Sequence, residues 1–102
     1  HDPSCYLCAG NKRANGEVNP AYTDTFVFEN DFRALLDEDG ADAPSASVLL
    51  QSAPVRGTCR VICFSPRHDL SLARMPVADI ARVIDTWRQQ ADELGRRYKW
   101  VQ

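Results

Sequence analysis

Apolar positions change their spacing along this chain, and each change marks an element. From Val77 to Tyr98 the residues Val77, Ile80, Ala81, Ile84, Trp87, Ala91 and Leu94 recur at three and four positions, which lays them on one face of an amphipathic helix. Pro76 suits the first helical position, where a missing N–H is harmless, and Arg96 and Arg97 suit the negative end of the helix dipole. The pattern predicts a helix over about 76–97. Two shorter runs, Tyr-Thr-Asp-Thr-Phe-Val-Phe from Tyr22 and Thr-Cys-Arg-Val-Ile-Cys-Phe from Thr58, are dense in β-branched and aromatic residues that fit a pleated surface. They predict strands over about 22–29 and 57–64, the second ended by Ser65-Pro66 because proline donates no ladder hydrogen bond.

The segments between follow turn chemistry. Pro3, Gly10, Asn11, Asn15, Gly16, Asn19 and Pro20 leave residues 1–21 no room for a regular element, and predict a loop. Phe32 to Leu36 is too short to decide between one helical turn and an extended piece. Asp37 to Pro54 turns to Asp, Ala, Ser and Pro, the composition of a mobile surface loop in which Val48-Leu49-Leu50 can dock or pair briefly. Strand, long loop, strand and helix give an α+β order, with the helix laid on an antiparallel sheet. Two strands do not make a stable sheet alone, so further strands must come from elsewhere.

Composition narrows the class. The 102 residues are 44% apolar and 25% charged, which predicts one small packed domain near the size where a metal or cross-link helps. The formal net charge of -2 supplies no general positive field for nucleic acid. No stretch reaches membrane-spanning length, and His1-Asp2-Pro3-Ser4 lacks the regions of a signal peptide. A cytoplasmic protein is therefore expected. In that compartment the four cysteines read as reduced thiols or metal ligands rather than a disulfide framework.

Cys5 and Cys8, two residues apart in a turn-rich loop, are spaced to aim both thiolates at one zinc ion, half of a tetrahedral site; the alternative is a pair of buried or redox-active thiols. Gly10 and Asn11 directly after them favour the metal, as in a zinc knuckle. Cys59 and Cys63 lie four apart on a predicted strand, so roughly 13 Å separates them. Two sulfurs on one zinc lie within about 4.6 Å of each other, which excludes this pair as joint ligands and leaves them as small apolar residues of a sheet. His68, past the break at Pro66, is free to turn back as a third ligand, against the alternative of a surface or hydrogen-bonded histidine. His1 has no spacing that favours it.

Cys5-Tyr6-Leu7-Cys8-Ala9-Gly10-Asn11, then Arg13, Gly16 and Asn19-Pro20-Ala21-Tyr22, are followed by Val27-Phe28-Glu29-Asn30-Asp31-Phe32 and by Arg56-Gly57 through Val61-Ile62-Cys63-Phe64-Ser65-Pro66-Arg67-His68. In this order and spacing they resemble the galactose-1-phosphate uridylyltransferases of the histidine-triad superfamily. The resemblance implies a histidine-triad-like half-barrel and a nucleotidyltransferase that moves UMP from UDP-glucose to galactose 1-phosphate through a uridylyl-histidine. It implies a structural zinc on Cys5, Cys8 and His68 with a fourth histidine ligand, and a homodimer. It also implies that Asn30 and Asp31 hold the uridine while Phe28 and Ala14 line its pocket. The residues themselves favour a turn or cap at Asn30-Asp31 and a core aromatic at Phe28.

One departure stands out. No histidine follows His68, so the His-Pro-His nucleophile motif of the family has no counterpart here, nor does its arginine-bearing segment ahead of the cysteines. The chain is expected to be an inactive piece of a longer enzyme. The competing expectations are a zinc-stabilised nucleotide-binding or interaction module without catalysis, and a related nucleotide phosphorylase or transferase with another sugar phosphate.

Overall fold

A computed structural model describes residues 1–37 and 47–102. Two strands, β1 (Phe26–Glu29) and β2 (Arg60–Cys63), are followed by a short 3-10 turn at Leu72–Arg74 and the helix α1 (Val77–Arg97). The strands pair antiparallel in the register Phe26 with Cys63, Val27 with Ile62, Phe28 with Val61 and Glu29 with Arg60. This is an α+β arrangement.

Both strands are shorter than their apolar runs predict. At the first, the Tyr22 N–H bonds Pro20 O at 2.9 Å and the Asp24 carboxylate accepts from the Thr25 N–H at 2.6 Å. These local bonds bend 22–25 out of the ladder, as side chain to backbone bonding does at turns. At the second, Cys59 and Phe64 flank the four paired residues, because β1 supplies only four partners.

The helix matches expectation except at its start, where Pro76 is the cap and Val77 the first helical residue. Pro76 O accepts from the N–H groups of Asp79 and Ile80 at 3.0 and 3.1 Å. The buried face, however, is rotated from the predicted one. Val83 is 1% exposed, whereas Ile84 is 54% exposed and Trp87 is 46% exposed. The reason is that a two-stranded sheet is narrower than the apolar stripe. The uncovered part borders an open groove with Ile62, Leu94, Tyr98 and Trp100.

Strand alternation makes the sheet a divider. One face carries Thr25, Ile62 and Arg60 toward α1. Thr25 and Thr86 share a hydroxyl hydrogen bond at 2.9 Å. Arg60 reaches Gln90 at 2.6 Å and grips both carboxylate oxygens of Glu93 at 3.0 Å. Beyond the strand, Thr58 and Tyr98 bond at 2.6 Å. The other face carries Phe26, Phe28 and Cys63 toward the cysteine loop. Tyr22, Phe26 and Phe28 stack in a row with centroids 5.3 and 5.4 Å apart.

Leu36 O accepts from Gly57 N at 3.0 Å, so 32–36 is neither helical nor a strand. Gly57 lies so close beneath Leu35 that a Cβ there would meet its Cδ1 at 2.9 Å. Val48, Leu49 and Leu50 are exposed. The centre of the predicted loop, 38–46, lies outside the described residues. The Cα radius of gyration is 17.6 Å, against about 13 Å for a compact chain of this length, in keeping with the open groove.

Candidate functional site

Residues 1–22 contain only an isolated β-bridge, Lys12 with Val18, yet they are densely cross-bonded. The Cys8 N–H bonds Cys5 O at 3.4 Å, and the Asn11 N–H bonds Cys8 O at 3.1 Å, coiling the chain so that both cysteines face inward. Two amide side chains then hold the coil from outside. Asn11 Nδ2 donates to Asp2 O and Cys5 O, each at 2.8 Å. Asn19 Nδ2 donates to Tyr6 O at 2.7 Å and Cys8 O at 3.0 Å. Tyr22 Oη donates to Leu7 O at 2.6 Å. Gly10 and Gly16 take φ of +77° and +93°, left-handed values that strain any side chain.

The knuckle meets the end of β2 through His68. Cys5, Cys8 and His68 bring their sulfurs and a ring nitrogen within 4.8 Å of one another. His68 Nδ1 lies 3.5 Å from Cys8 Sγ. Zn–S of about 2.3 Å and Zn–N of about 2.0 Å at a tetrahedral angle separate sulfur and nitrogen by about 3.5 Å. The donor set therefore fits a metal ion in type and in spacing. Behind His68, its Nε2 stands 3.9 Å from Asp2 Oδ2, a carboxylate on the far ring nitrogen that favours the tautomer with Nδ1 free to ligate. Asp2 is itself oriented by the Ser4 hydroxyl and N–H at 2.7 and 2.8 Å, which hold its carboxyl below the ordinary range.

Cys59 and Cys63 are outside the group, where their spacing excluded them only as joint ligands of one ion. Cys63 is nevertheless buried and lines the same cavity as Cys5, Cys8, Tyr22 and His68. Burial pushes its thiol up and does the same to the Tyr22 phenol. Register decides this, since Phe26 and Cys63 pair on the knuckle face. Sequence reading treated Cys63 only as sheet filling.

The other candidates surround Arg13. Its guanidinium lies 4.2 Å over the Phe28 ring, its Nε bonds Asp31 Oδ2 at 3.2 Å, and its Nη1 bonds Asn19 Oδ1 at 3.0 Å. Its Nη2 meets the exposed Glu17 carboxylate. Phe28 and Asp31 are thereby brought to one cation. Ala14 follows Arg13 directly and is exposed at the turn. Asn30 Oδ1 accepts from the Phe32 N–H at 3.0 Å, so Asn30-Asp31 does form the expected turn, while the Asn30 N–H ties that turn to Cys59 O at 2.8 Å.

The sequence of this chain matches, over residues 1–102, the family described as galactose-1-phosphate uridyl transferase, N-terminal domain. The chain belongs to this family. It is 49% identical over 102 residues to the galactose-1-phosphate uridylyltransferase of Haemophilus influenzae, covering all of this chain and 29% of that protein. The enzymes of the same name from Rattus norvegicus and Saccharomyces cerevisiae are 48% and 40% identical, again over all of this chain and over 27% and 32% of their own lengths. The chain thus spans less than a third of these uridylyltransferases. No helix among the described residues is long and apolar enough to cross a membrane.

Proposed function

We propose that this chain is the early part of a UDP-glucose–hexose-1-phosphate uridylyltransferase, to which it contributes a structural zinc knuckle and one side of the uridine pocket. The observation that carries this reading is the family match over residues 1–102. On this reading the chain is part of a single N-terminal domain, a histidine-triad-like half-barrel whose remaining strands extend β1 and β2, in a cytoplasmic homodimer.

The metal is zinc, held by Cys5, Cys8, His68 and a histidine outside these residues. Two thiolates and an imidazole are soft and borderline donors that suit zinc over magnesium or calcium. When bound it cross-links the knuckle to the end of β2, and takes no part in bond making. The uridine is held by Asn30, whose amide offers donor and acceptor to a base edge, and by Asp31, whose carboxylate accepts from ribose hydroxyls. Phe28 and Ala14 line the pocket.

Catalysis then runs in two displacements. A histidine outside these 102 residues attacks the α-phosphorus of UDP-glucose, and the P–O bond to glucose 1-phosphate breaks as the N–P bond forms. A phosphate oxygen of galactose 1-phosphate next displaces the histidine, giving UDP-galactose. The 102-residue chain alone has no nucleophile for this and is expected to be inactive.

The test is made on the full-length product. With UDP-glucose alone, glucose 1-phosphate is expected to be released once per active site as the uridylyl-histidine forms, with continued turnover only when galactose 1-phosphate is supplied and with one zinc per chain by mass spectrometry at this knuckle. UDP binding without transfer would overturn the enzymatic reading in favour of a binding module. Turnover by residues 1–102 alone would overturn the placement of the nucleophile.

A further inference from the structure

Arg13 and Asn19 are the buried polar side chains among the described residues, at 7% and 2% exposure. A buried guanidinium is costly unless its donors are matched. Here each nitrogen of the fork has a partner, Nη1 on Asn19, Nε on Asp31 and Nη2 on the exposed Glu17 carboxylate. Asn19 receives one arm while its amide nitrogen grips Tyr6 O and Cys8 O in the metal knuckle. Asp31 receives another, with the Arg13 and Asp31 side chains 6% and 10% exposed. The flat of the guanidinium lies on Phe28.

A continuous path therefore runs from the carbonyl of Cys8 through Asn19 and Arg13 to Asp31 and Phe28. Among the described residues Asp31 makes no other side-chain hydrogen bond. Arg13 takes its Oδ2 and leaves Oδ1 for a hydroxyl. A lysine in this place would keep the charge, but its single ammonium does not reach three partners with the planar fork.

Resting on the uridine-pocket reading above, we propose that Arg13 is a positioning residue: it presents the Asp31 carboxylate and the Phe28 ring to the nucleotide, and through Asn19 it transmits the order of the Cys5–Cys8 metal knuckle to nucleotide affinity. The metal then has a consequence for binding although it never touches the nucleotide. The coupling needs no conformational wire beyond these hydrogen bonds, because a knuckle that loosens releases the Asn19 amide that fixes one arm of the fork.

The experiment measures UDP and 2′,3′-dideoxy-UDP binding by calorimetry on the full-length, metal-loaded protein and on Arg13→Lys. The variant is expected to retain its metal, to bind UDP about tenfold more weakly, and to lose most of the preference for UDP over the dideoxy analogue. Stripping the metal from the parent protein is expected to weaken UDP about tenfold, whereas stripping it from Arg13→Lys adds less than about twofold, the non-additivity of a shared network. Unchanged UDP affinity in Arg13→Lys, equal loss for both nucleotides, or fully additive losses would overturn the proposal. A parent protein that binds both nucleotides equally refutes instead the assignment of Asp31 to the ribose. A reading independent of the variant is the Arg13 Nε–H resonance of the parent protein. It is expected to shift both on UDP addition and on metal removal, and a resonance indifferent to either overturns the coupling should Arg13→Lys fail to fold.

Discussion

The two sides of the sheet are bonded and covered to different degrees. On the knuckle side, residues 1–31 bury Cys8 and stack Tyr22, Phe26 and Phe28, but the loop owes its shape to directed bonds: two asparagine amides span four carbonyls, a tyrosine closes a fifth, and Arg13 ties the ensemble to β1. On the helix side, Val83 is the one buried residue of α1, Thr25 and Arg60 bond the helix to the sheet, and much of the apolar stripe stays uncovered. Polar side chains become specific when every partner is supplied, so a short irregular segment can hold one geometry. Apolar faces are non-directional and stay open until enough surface meets them. The site with chemistry lies on the first side.

The largest break in this comparison is the metal. Cys5→Ser with Cys8→Ser in the full-length protein is expected to abolish metal binding and to cost more than about 4 kcal/mol of stability, read by metal content and thermal unfolding. Unchanged stability would show the amide network to be self-sufficient.

Asn19→Ala should follow, at about 3 kcal/mol, since it strips Tyr6 O and Cys8 O of a donor and Arg13 of an acceptor in a buried place. A denaturant midpoint within experimental error of the parent would contradict that. On the helix side, Val83→Ala is expected to cost about 2 kcal/mol and the adjacent Ile84→Ala less than about 1 kcal/mol. A reversed order in the full-length protein would mean that further chain covers the groove.

The smallest effect is electrostatic. The Arg60 hydrogen bond and charge hold the Glu93 carboxyl below its ordinary value. The folded state therefore gains stability above the unfolded value and loses it as pH falls through the lower folded one. Glu93→Gln is expected to flatten the decline in melting temperature as pH falls below the ordinary glutamate value. An identical acid limb in the variant would assign that decline to other carboxylates.

Much of the outline was legible from residues 3.6 or 2 apart. The helix spans its predicted residues, with only Pro76 moved from first residue to cap, and each strand lies toward the C-terminal end of its predicted run. Cys5, Cys8 and His68 converge as the ligand argument anticipated. Asn30-Asp31 is the turn its residue types favour, and it also adjoins the arginine that binds Asp31. What escaped were relations across distances that no period encodes: Arg13 to Asn19, Arg13 to Asp31 and Phe28, and Cys63 to the knuckle.

By itself, then, the sequence determined the helix, the turn-bound cysteine pair and membership of the family, because these rest on local spacing and on motifs in order. Only the tertiary structure decided which face of α1 is buried, which face of the sheet meets the knuckle, and which cation joins Asp31 to the cysteine loop. Those outcomes depend on strand register and on the width of the sheet, quantities set by partners brought together in space rather than by neighbours along the chain.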